Sequence, residues 1–199
     1  MDGLSPTAAR RGEACAALLR EVRAIAASDG ITAASLDRFK ALLIGLAARP
    51  ELFPDSEFPM PEAQGRNHML DPAADDGLGF YLTIGLPGKE AAPHDHGIWC
   101  VNAALSGREV QRFYRRTDDG GRPGFATIEQ IDELTLEPGT AMAMADHDIH
   151  STLVTGDRPM CALALYGYAL TRFPSVVYYH PQFNSMRTLP SRRGAAVRG

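Results

Sequence analysis

The chain has 199 residues and a formal net charge of −4. A chain of this length predicts a single domain with a real core, and the acidic balance gives no support for a nucleic-acid or membrane partner. No apolar run approaches the ~20 residues of a membrane span, and the arginine-containing N-terminus lacks the uninterrupted apolar core of a signal peptide. The three cysteines indicate no disulfide framework, so we expect a cytoplasmic protein.

The first part of the chain shows helical spacing of its apolar residues. A first helix ends at Ser28-Asp29-Gly30, and a second is expected to start with Ser35 as its N-cap and to stop before Pro50. The apolar positions of these two helices are Ala16, Leu18, Leu19, Val22, Ile25, Ala26, Leu36, Phe39, Leu42, Leu43 and Leu46. We therefore assign residues 1–60 to an N-terminal helical segment packed on the main domain.

Short apolar or alternating runs separated by Gly, Pro and Asp begin at Leu78, after an irregular connector over residues 50–77. The predicted strands are 78–86, 97–105, 108–116, 125–136, 140–145, 149–155, 160–170 and 175–179. This density predicts a mainly all-β domain over residues 61–188, built as an antiparallel sandwich or small barrel. The tail, residues 189–199, is expected to be disordered.

A pair of histidines one residue apart is the strongest chemical signal in the chain. His94 and His96 point to the same face if their segment is a strand, because side chains alternate with a period of two. Two imidazoles held side by side provide two ligands for a first-row metal. The remaining histidines are His68, His147, His150 and His180. A third ligand must come from these four, and we choose His150, which opens a predicted strand, and interpret the others as surface or structural residues.

The surroundings of the pair resemble the first motif of the cupin superfamily. Five residues separate Gly88 from His94, three separate His96 from Cys100, and six separate Cys100 from Gly107. The resemblance implies a double-stranded β-helix, or jelly roll, with the helices attached at its N-terminus. In most metal-binding cupins a glutamate, the fourth ligand, occupies the position of Cys100.

Cysteine in place of that glutamate resembles the cysteine dioxygenase family of thiol dioxygenases. The segment Asp148-Ile149-His150 is similar to the one that presents the family's third histidine. The resemblance implies that His94, His96 and His150 hold Fe(II). Three neutral imidazoles leave open coordination positions on the iron for a thiol and dioxygen. Because neutral ligands do not offset the positive charge of the iron, this charge lowers the pKa of a bound thiol.

Two further segments carry the resemblance. Gly65-Arg66-Asn67 resembles the family's Arg-Asn segment, which implies that Arg66 binds a substrate carboxylate. Tyr166 occupies the place of the family's active-site tyrosine, which in mammalian-type members forms a thioether with a cysteine at the position of Cys100. The same crosslink is therefore possible here between Cys100 and Tyr166.

The chain departs from this family at two positions. A serine and a histidine that normally form a hydrogen-bonded relay with the tyrosine are replaced by Ala162 and Ala164, which share a face with Tyr166 by parity. The departure leaves the tyrosine hydroxyl without these relay partners and leaves the substrate open.

These observations predict an iron-dependent thiol dioxygenase that converts a small carboxylated thiol, cysteine or a mercaptocarboxylate, to its sulfinate with O2. One alternative is a three-histidine cupin that cleaves a carbon–carbon bond. Another is a non-catalytic cupin that binds a metal or ligand. The expected partners are the thiol and O2, with the chain as a monomer or weak homo-oligomer.

Overall fold

The computed structural model describes residues 5–62, 65–71, 77–172 and 175–190. Helix α1 covers Pro6–Asp29 and helix α2 covers Ala33–Ala47. Ser5 caps α1 by accepting a hydrogen bond from the amide of Ala8, and Pro6 takes the first helical turn, where its missing N–H costs nothing. Within the described residues, no helix combines the length and apolarity needed to cross a membrane.

The start of α2 differs from the sequence prediction. Thr32, not Ser35, is the N-cap, and Ser35 lies at the third helical position. The Thr32 hydroxyl accepts a hydrogen bond from the Ser35 amide at 3.2 Å, and the Ser35 hydroxyl accepts one from the Thr32 amide at 2.7 Å. This reciprocal capping box satisfies two backbone donors, so the helix begins three residues earlier than predicted.

Eleven strands follow the helices in the described part of the chain. Their bounds are β1 (Gly65–Met69), β2 (Gly79–Gly85), β3 (Glu90–Asp95), β4 (Cys100–Ser106), β5 (Arg108–Arg116), β6 (Ile128–Leu136), β7 (Ala141–Met144), β8 (Ile149–Thr155), β9 (Met160–Tyr166), β10 (Ser175–His180) and β11 (Ser185–Pro190). They form a five-stranded sheet in the order β1-β2-β9-β4-β7 and a six-stranded sheet in the order β11-β10-β3-β8-β5-β6.

All strand pairs in these sheets are antiparallel. The sheets face each other, since the ring of His96, from the end of β3, stacks on that of Tyr166 in β9. This is a double-stranded β-helix with two N-terminal helices, and the predicted mainly β fold class is confirmed.

Each of the eight predicted strand segments overlaps an observed strand, but β1, β3 and β11 were not in the predicted set. β3 contains Pro93 and shows a register shift against β8 between Ala91 and His94, which lets a residue without an amide donor lie inside a sheet. β1 and β11 are edge strands with polar sequences that carry little alternation. Leu189 and Pro190, predicted as part of the tail, belong to β11, and residues 191–199 lie outside the described residues.

The largest hydrophobic core lies between the helices and the five-stranded sheet. α2 packs on β4 and β7, and the fully buried ring of Phe39 lies 5.3 Å from that of Trp99. By the register of β4 with β9, Val101 and Leu165 share the face turned toward the helices, whereas Cys100 and Tyr166 share the face turned toward the other sheet. The helices thus cover one side of the sheet and leave the other for the interior of the barrel.

We expect Phe39→Ala to lower the free energy of unfolding by about 3–5 kcal/mol, because it leaves a cavity against Trp99. Urea unfolding followed by the fluorescence of Trp99, the only tryptophan, measures this change. Phe183→Ala is the control, since that ring is 74% exposed and its loss should change stability by about 0.5 kcal/mol or less. Equal stability of the two variants would contradict the packing of α2 on the sheet.

Candidate metal centre

Two glycines bound the segment that carries the first pair of histidines. Gly88 lies in the turn before β3 with a φ of 78°, and Gly107 joins β4 to β5 with a φ of 76°. A Cβ atom at Gly107 would lie 2.3 Å from the carbonyl oxygen of Pro159, so only glycine fits this hairpin turn. The glycine spacing of the motif therefore has a structural cause at both of its ends.

His94 and His96 lie at the end of β3 and directly after it. Their rings are stacked with centroids 4.6 Å apart and an interplanar angle of 24°. Both side chains are 5% exposed. Asp95 lies between them, and its carboxylate accepts a hydrogen bond from the amide of Gly97, which fixes the turn that follows.

His150 completes the group from the neighbouring strand. It lies directly opposite His94 in the β3–β8 pair, so both side chains emerge on the same face of the sheet. Its ring centroid is 4.5 Å from that of His94 and 5.2 Å from that of His96. The structure therefore brings together the three histidines chosen from the sequence.

The donor atoms fit a first-row metal ion. One nitrogen from each of the three histidines lies within 4.8 Å of the others, and the Nε2 atoms of His96 and His150 are 3.4 Å apart. Metal–imidazole bonds of about 2.1 Å require nitrogens at such separations. Positive charges on buried imidazoles this close together would repel each other, so these rings are suited to be neutral ligands. Among the described residues, this is the one group of three or more ligand side chains so arranged.

Hydrogen bonds behind the rings set the tautomers of two ligands. The Nδ1–H of His94 donates to the carbonyl oxygen of Ala92 at 2.8 Å. Nδ1 of His150 lies 2.9 Å from Oε1 of Gln111, which is fully buried. With the proton on Nδ1, the Nε2 lone pair of each ring remains available for a metal.

Cys100 and Tyr166 lie next to the histidines on the opposite sheet. They are direct cross-strand partners in the β4–β9 pair, and both are buried. The Tyr166 ring lies 5.7 Å from that of His96 with an interplanar angle of 26°. Side chains opposite each other in antiparallel strands have Cβ atoms about 5 Å apart, which is within reach of a thioether between them.

The two alanines also face the interior. Ala164 is opposite both Tyr81 and Asn102, and Ala162 is opposite Thr83 and Ala104. Polar groups beside Ala164 therefore come from neighbouring strands and not from β9.

Tyr81 accepts a hydrogen bond from the amide of Leu170 at 2.9 Å and lies edge-on to Tyr166, with centroids 6.2 Å apart.

Three residues near the centre were missed by sequence reasoning. Tyr178 lies opposite His94 in β10 and stacks on its ring at 5.7 Å. Asn102 faces the interior two residues beyond Cys100, and its buried Oδ1 has no hydrogen-bond partner within the described residues. Gln111 contacts His150. Parity along β4 could have indicated Asn102, but only the pairing of distant strands identifies Tyr178 and Gln111.

Arg66 is not brought to the histidines. It is exposed and lies opposite Ile84 in the β1–β2 pair, on the same face as His68, whose ring contacts Phe58 outside the barrel. The alternation of β1 directs Asn67, not Arg66, to the face shared with Tyr81 and Tyr166. The sequence-based role for Arg66 as a carboxylate ligand thus receives no support from its placement.

The other histidines lie outside the group. His147 is exposed, adopts a positive φ of 67°, and its Nδ1 lies 3.2 Å from the Asp95 carboxylate. Burial and the charge of Arg66 lower the pKa of His68. His180 ends β10, away from the pairing that joins β10 to β3.

A cavity of about 290 Å³ lies between the edge strands β6 and β7. Phe113 and Met142 are among its lining residues. Phe113 is the direct partner of His150, and Met142 is the direct partner of Asn102. The lining of this cavity therefore includes sheet neighbours of the centre, but none of the three histidines.

Neither protein-family models nor curated proteins gave a match to this sequence. Among solved structures, the chain is similar to an oxalate oxidase in complex with glycolate, at 14% identity and a TM-score of 0.43, over 59% of this chain and 56% of that one. A DMSP lyase from Ruegeria pomeroyi DSS-3 gives 22% identity and a TM-score of 0.39, over 52% and 47% of the two chains. A cupin superfamily protein from Desulfitobacterium hafniense DCB-2 gives 17% and 0.40, over 62% and 87%.

The chain thus spans about half the length of the first of these structures. The fold assignment depends on the strand order and register described above.

We expect His94→Ala to abolish stoichiometric binding of a divalent metal, because it removes one of three converging ligands. Metal analysis of the reconstituted, desalted protein measures this. His147→Ala is the matched control, since His147 is three residues from His150 but outside the group, and it should keep full metal content. Retention of stoichiometric metal by His94→Ala would refute the ligand assignment.

Proposed function

We propose that the protein is a non-haem Fe(II) thiol dioxygenase that adds both atoms of O2 to the sulfur of a small thiol, giving a sulfinate. The observation that carries the proposal is a centre of three buried histidines with Cys100, where a fourth acidic ligand would be expected, directly opposite Tyr166. The thiol contributes its sulfur and O2 contributes two oxygen atoms, so no further reductant is required.

The ligand set suits this chemistry. Bound Fe(II) would supply one-electron chemistry toward O2 and Lewis acidity toward the thiol. His94, His96 and His150 would hold it without adding negative charge, which favours binding of the substrate as a thiolate. Their burial at 5% exposure or less keeps bulk water away from the centre.

The five-stranded sheet supplies the groups that would face the substrate. The Tyr166 hydroxyl is suited to orient the bound thiol or to hold a proton near its oxidised sulfur. Asn102 offers Oδ1 as an acceptor for a polar group on the substrate. Ala162 and Ala164 leave space where larger side chains would fill the interior.

Cysteine or a mercaptocarboxylate is the substrate class that the family resemblance implies. A carboxylate needs a cationic partner, and Arg66, the predicted one, is exposed on the outer face. Thiols with and without a carboxylate therefore belong in the same assay.

The placement of Arg66 away from the histidines favours one alternative function. A three-histidine cupin that cleaves a carbon–carbon bond of a diketone or aromatic substrate needs no carboxylate clamp. The aromatic residues Tyr81, Tyr166 and Tyr178 around the histidines suit a flat substrate. A non-catalytic, ligand-binding cupin is the other alternative, consistent with the two alanines.

We expect iron-loaded protein to consume O2 with at least one of cysteine, cysteamine, mercaptopropionate and mercaptosuccinate, and to form the sulfinate stoichiometrically. An oxygen electrode and mass spectrometry of the product measure this. His150→Ala should reduce uptake to background, whereas His147→Ala should leave it unchanged. Absence of uptake with every thiol by protein of full iron content would refute the proposal, and uptake with a diketone would favour the alternative.

We also expect a thioether between Cys100 and Tyr166 after iron loading and turnover, because they are direct cross-strand partners beside the centre. As the carbon–sulfur bond replaces the S–H bond and a ring C–H bond, O2 accepts the two electrons and two protons. The intact mass should therefore fall by about two hydrogens, and a peptide joining β4 to β9 should appear after proteolysis. Tyr166→Phe keeps the ring but lacks the phenol needed for coupling, so it should retain the sequence mass. An unchanged wild-type mass after many turnovers would exclude the crosslink.

A further inference from the structure

Behind His150, a string of polar side chains runs along the interior face of the six-stranded sheet, with Gln111 buried and Glu109 and Thr152 half-buried. Gln111 and Glu109 are two residues apart in β5 and therefore share a face, and Gln111 is the direct partner of Thr152 in β8. This register places Gln111 diagonally beside His150. None of these residues was singled out in the sequence.

The hydrogen bonds along this string have one consistent direction. The Nε2 amide group of Gln111 donates a hydrogen bond to a carboxylate oxygen of Glu109. An ionised carboxylate has no proton to donate, so it can only be the acceptor of this bond. The other end of the amide, Oε1, is thereby turned toward His150, 2.9 Å from its Nδ1. An acceptor at this position requires His150 to carry its proton on Nδ1.

Glu109 is held from several sides. Thr152 and Gln111 donate side-chain hydrogen bonds to it, and Lys89 contributes a favourable charge. Burial raises its pKa, and these three contacts oppose the shift. Gln111 itself is fully buried, so water cannot replace either of its partners.

We infer that Gln111, oriented by Glu109, is the positioning residue that holds His150 in the Nδ1–H tautomer required for metal binding through Nε2. The amide also separates the carboxylate from the imidazole, so His150 stays a neutral ligand and the charge of the metal is not offset. The inference rests on the three-histidine metal centre of the proposed function, but not on thiol oxidation.

The test measures Co(II) affinity of the full-length protein by competition with a chromophoric chelator. Gln111→Met keeps the volume of the side chain but removes the acceptor, and it should weaken Co(II) binding roughly 10- to 100-fold. The double variant Glu109→Gln with Gln111→Glu exchanges the two groups, restores an acceptor beside His150, and should bind within about fivefold of wild type. Thermal unfolding of each metal-free variant checks that it is folded, and Gln111→Ala replaces Gln111→Met if the latter is not.

Ser151→Ala is the matched control. Ser151 adjoins His150 in β8, is buried, and hydrogen-bonds to the Tyr114 hydroxyl at 3.0 Å, but on the outer face of the sheet. It should bind Co(II) like wild type. In the Co(II) protein, the hyperfine-shifted, slowly exchanging ring N–H signal of His150 should be lost in Gln111→Met and kept in Ser151→Ala.

The outcomes separate the two proposals. If the wild type binds Co(II) and folded Gln111→Met binds it with the same affinity, the proposed role of Gln111 is overturned while the metal centre stands. Loss of affinity in the double variant as large as in Gln111→Met overturns it as well, because an acceptor is then not sufficient. A wild-type chain that binds no Co(II) overturns both this inference and the metal centre of the proposed function.

Discussion

The pairing of β3 with β8 is the constraint on which the centre depends. It places His94 directly opposite His150, although 56 positions separate them in the chain, and the turn after β3 adds His96 to the same face. The β3 strand pairs irregularly because it contains Pro93, yet it lies inside the six-stranded sheet between β10 and β8. The surrounding strands hold it there, and a shift of one residue would turn the His94 side chain to the other face of the sheet, away from His150.

The two sheets contribute different chemistry to the space between them. The six-stranded sheet supplies the imidazoles and the polar string behind His150, whereas the five-stranded sheet supplies Cys100, Tyr166 and Asn102. Buried imidazoles are costly unless their nitrogens have partners, and the hydrogen bonds of His94 and His150 to Ala92 and Gln111 provide them. The histidine side of this space is thus built by hydrogen bonding and the opposite side by the size and polarity of the facing residues.

Loops at the same end of the barrel support this arrangement from outside. The Asp146 carboxylate accepts a hydrogen bond from the amide of Trp99, and His147 contacts Asp95. These contacts join the segment before β8 to the end of β3 and to the segment between His96 and Cys100. The ring of Trp99 then packs on Phe39 of α2, so the helical core and the metal centre are connected through a short stretch of backbone.

The sequence by itself determined the helices, most strands, the histidine pair and the glycines that bound it, because these depend on local periodicity and on backbone conformations that only glycine tolerates. It also indicated His150, Cys100 and Tyr166 through a resemblance to known motifs. The tertiary structure decided what depends on pairing between distant strands: the outward direction of Arg66, the contact of Tyr178 with His94, and the position of Gln111 behind His150. The alternation of side chains along a strand shows which residues share a face. The register of the strand and the identity of its neighbouring strands decide which residues that face contacts.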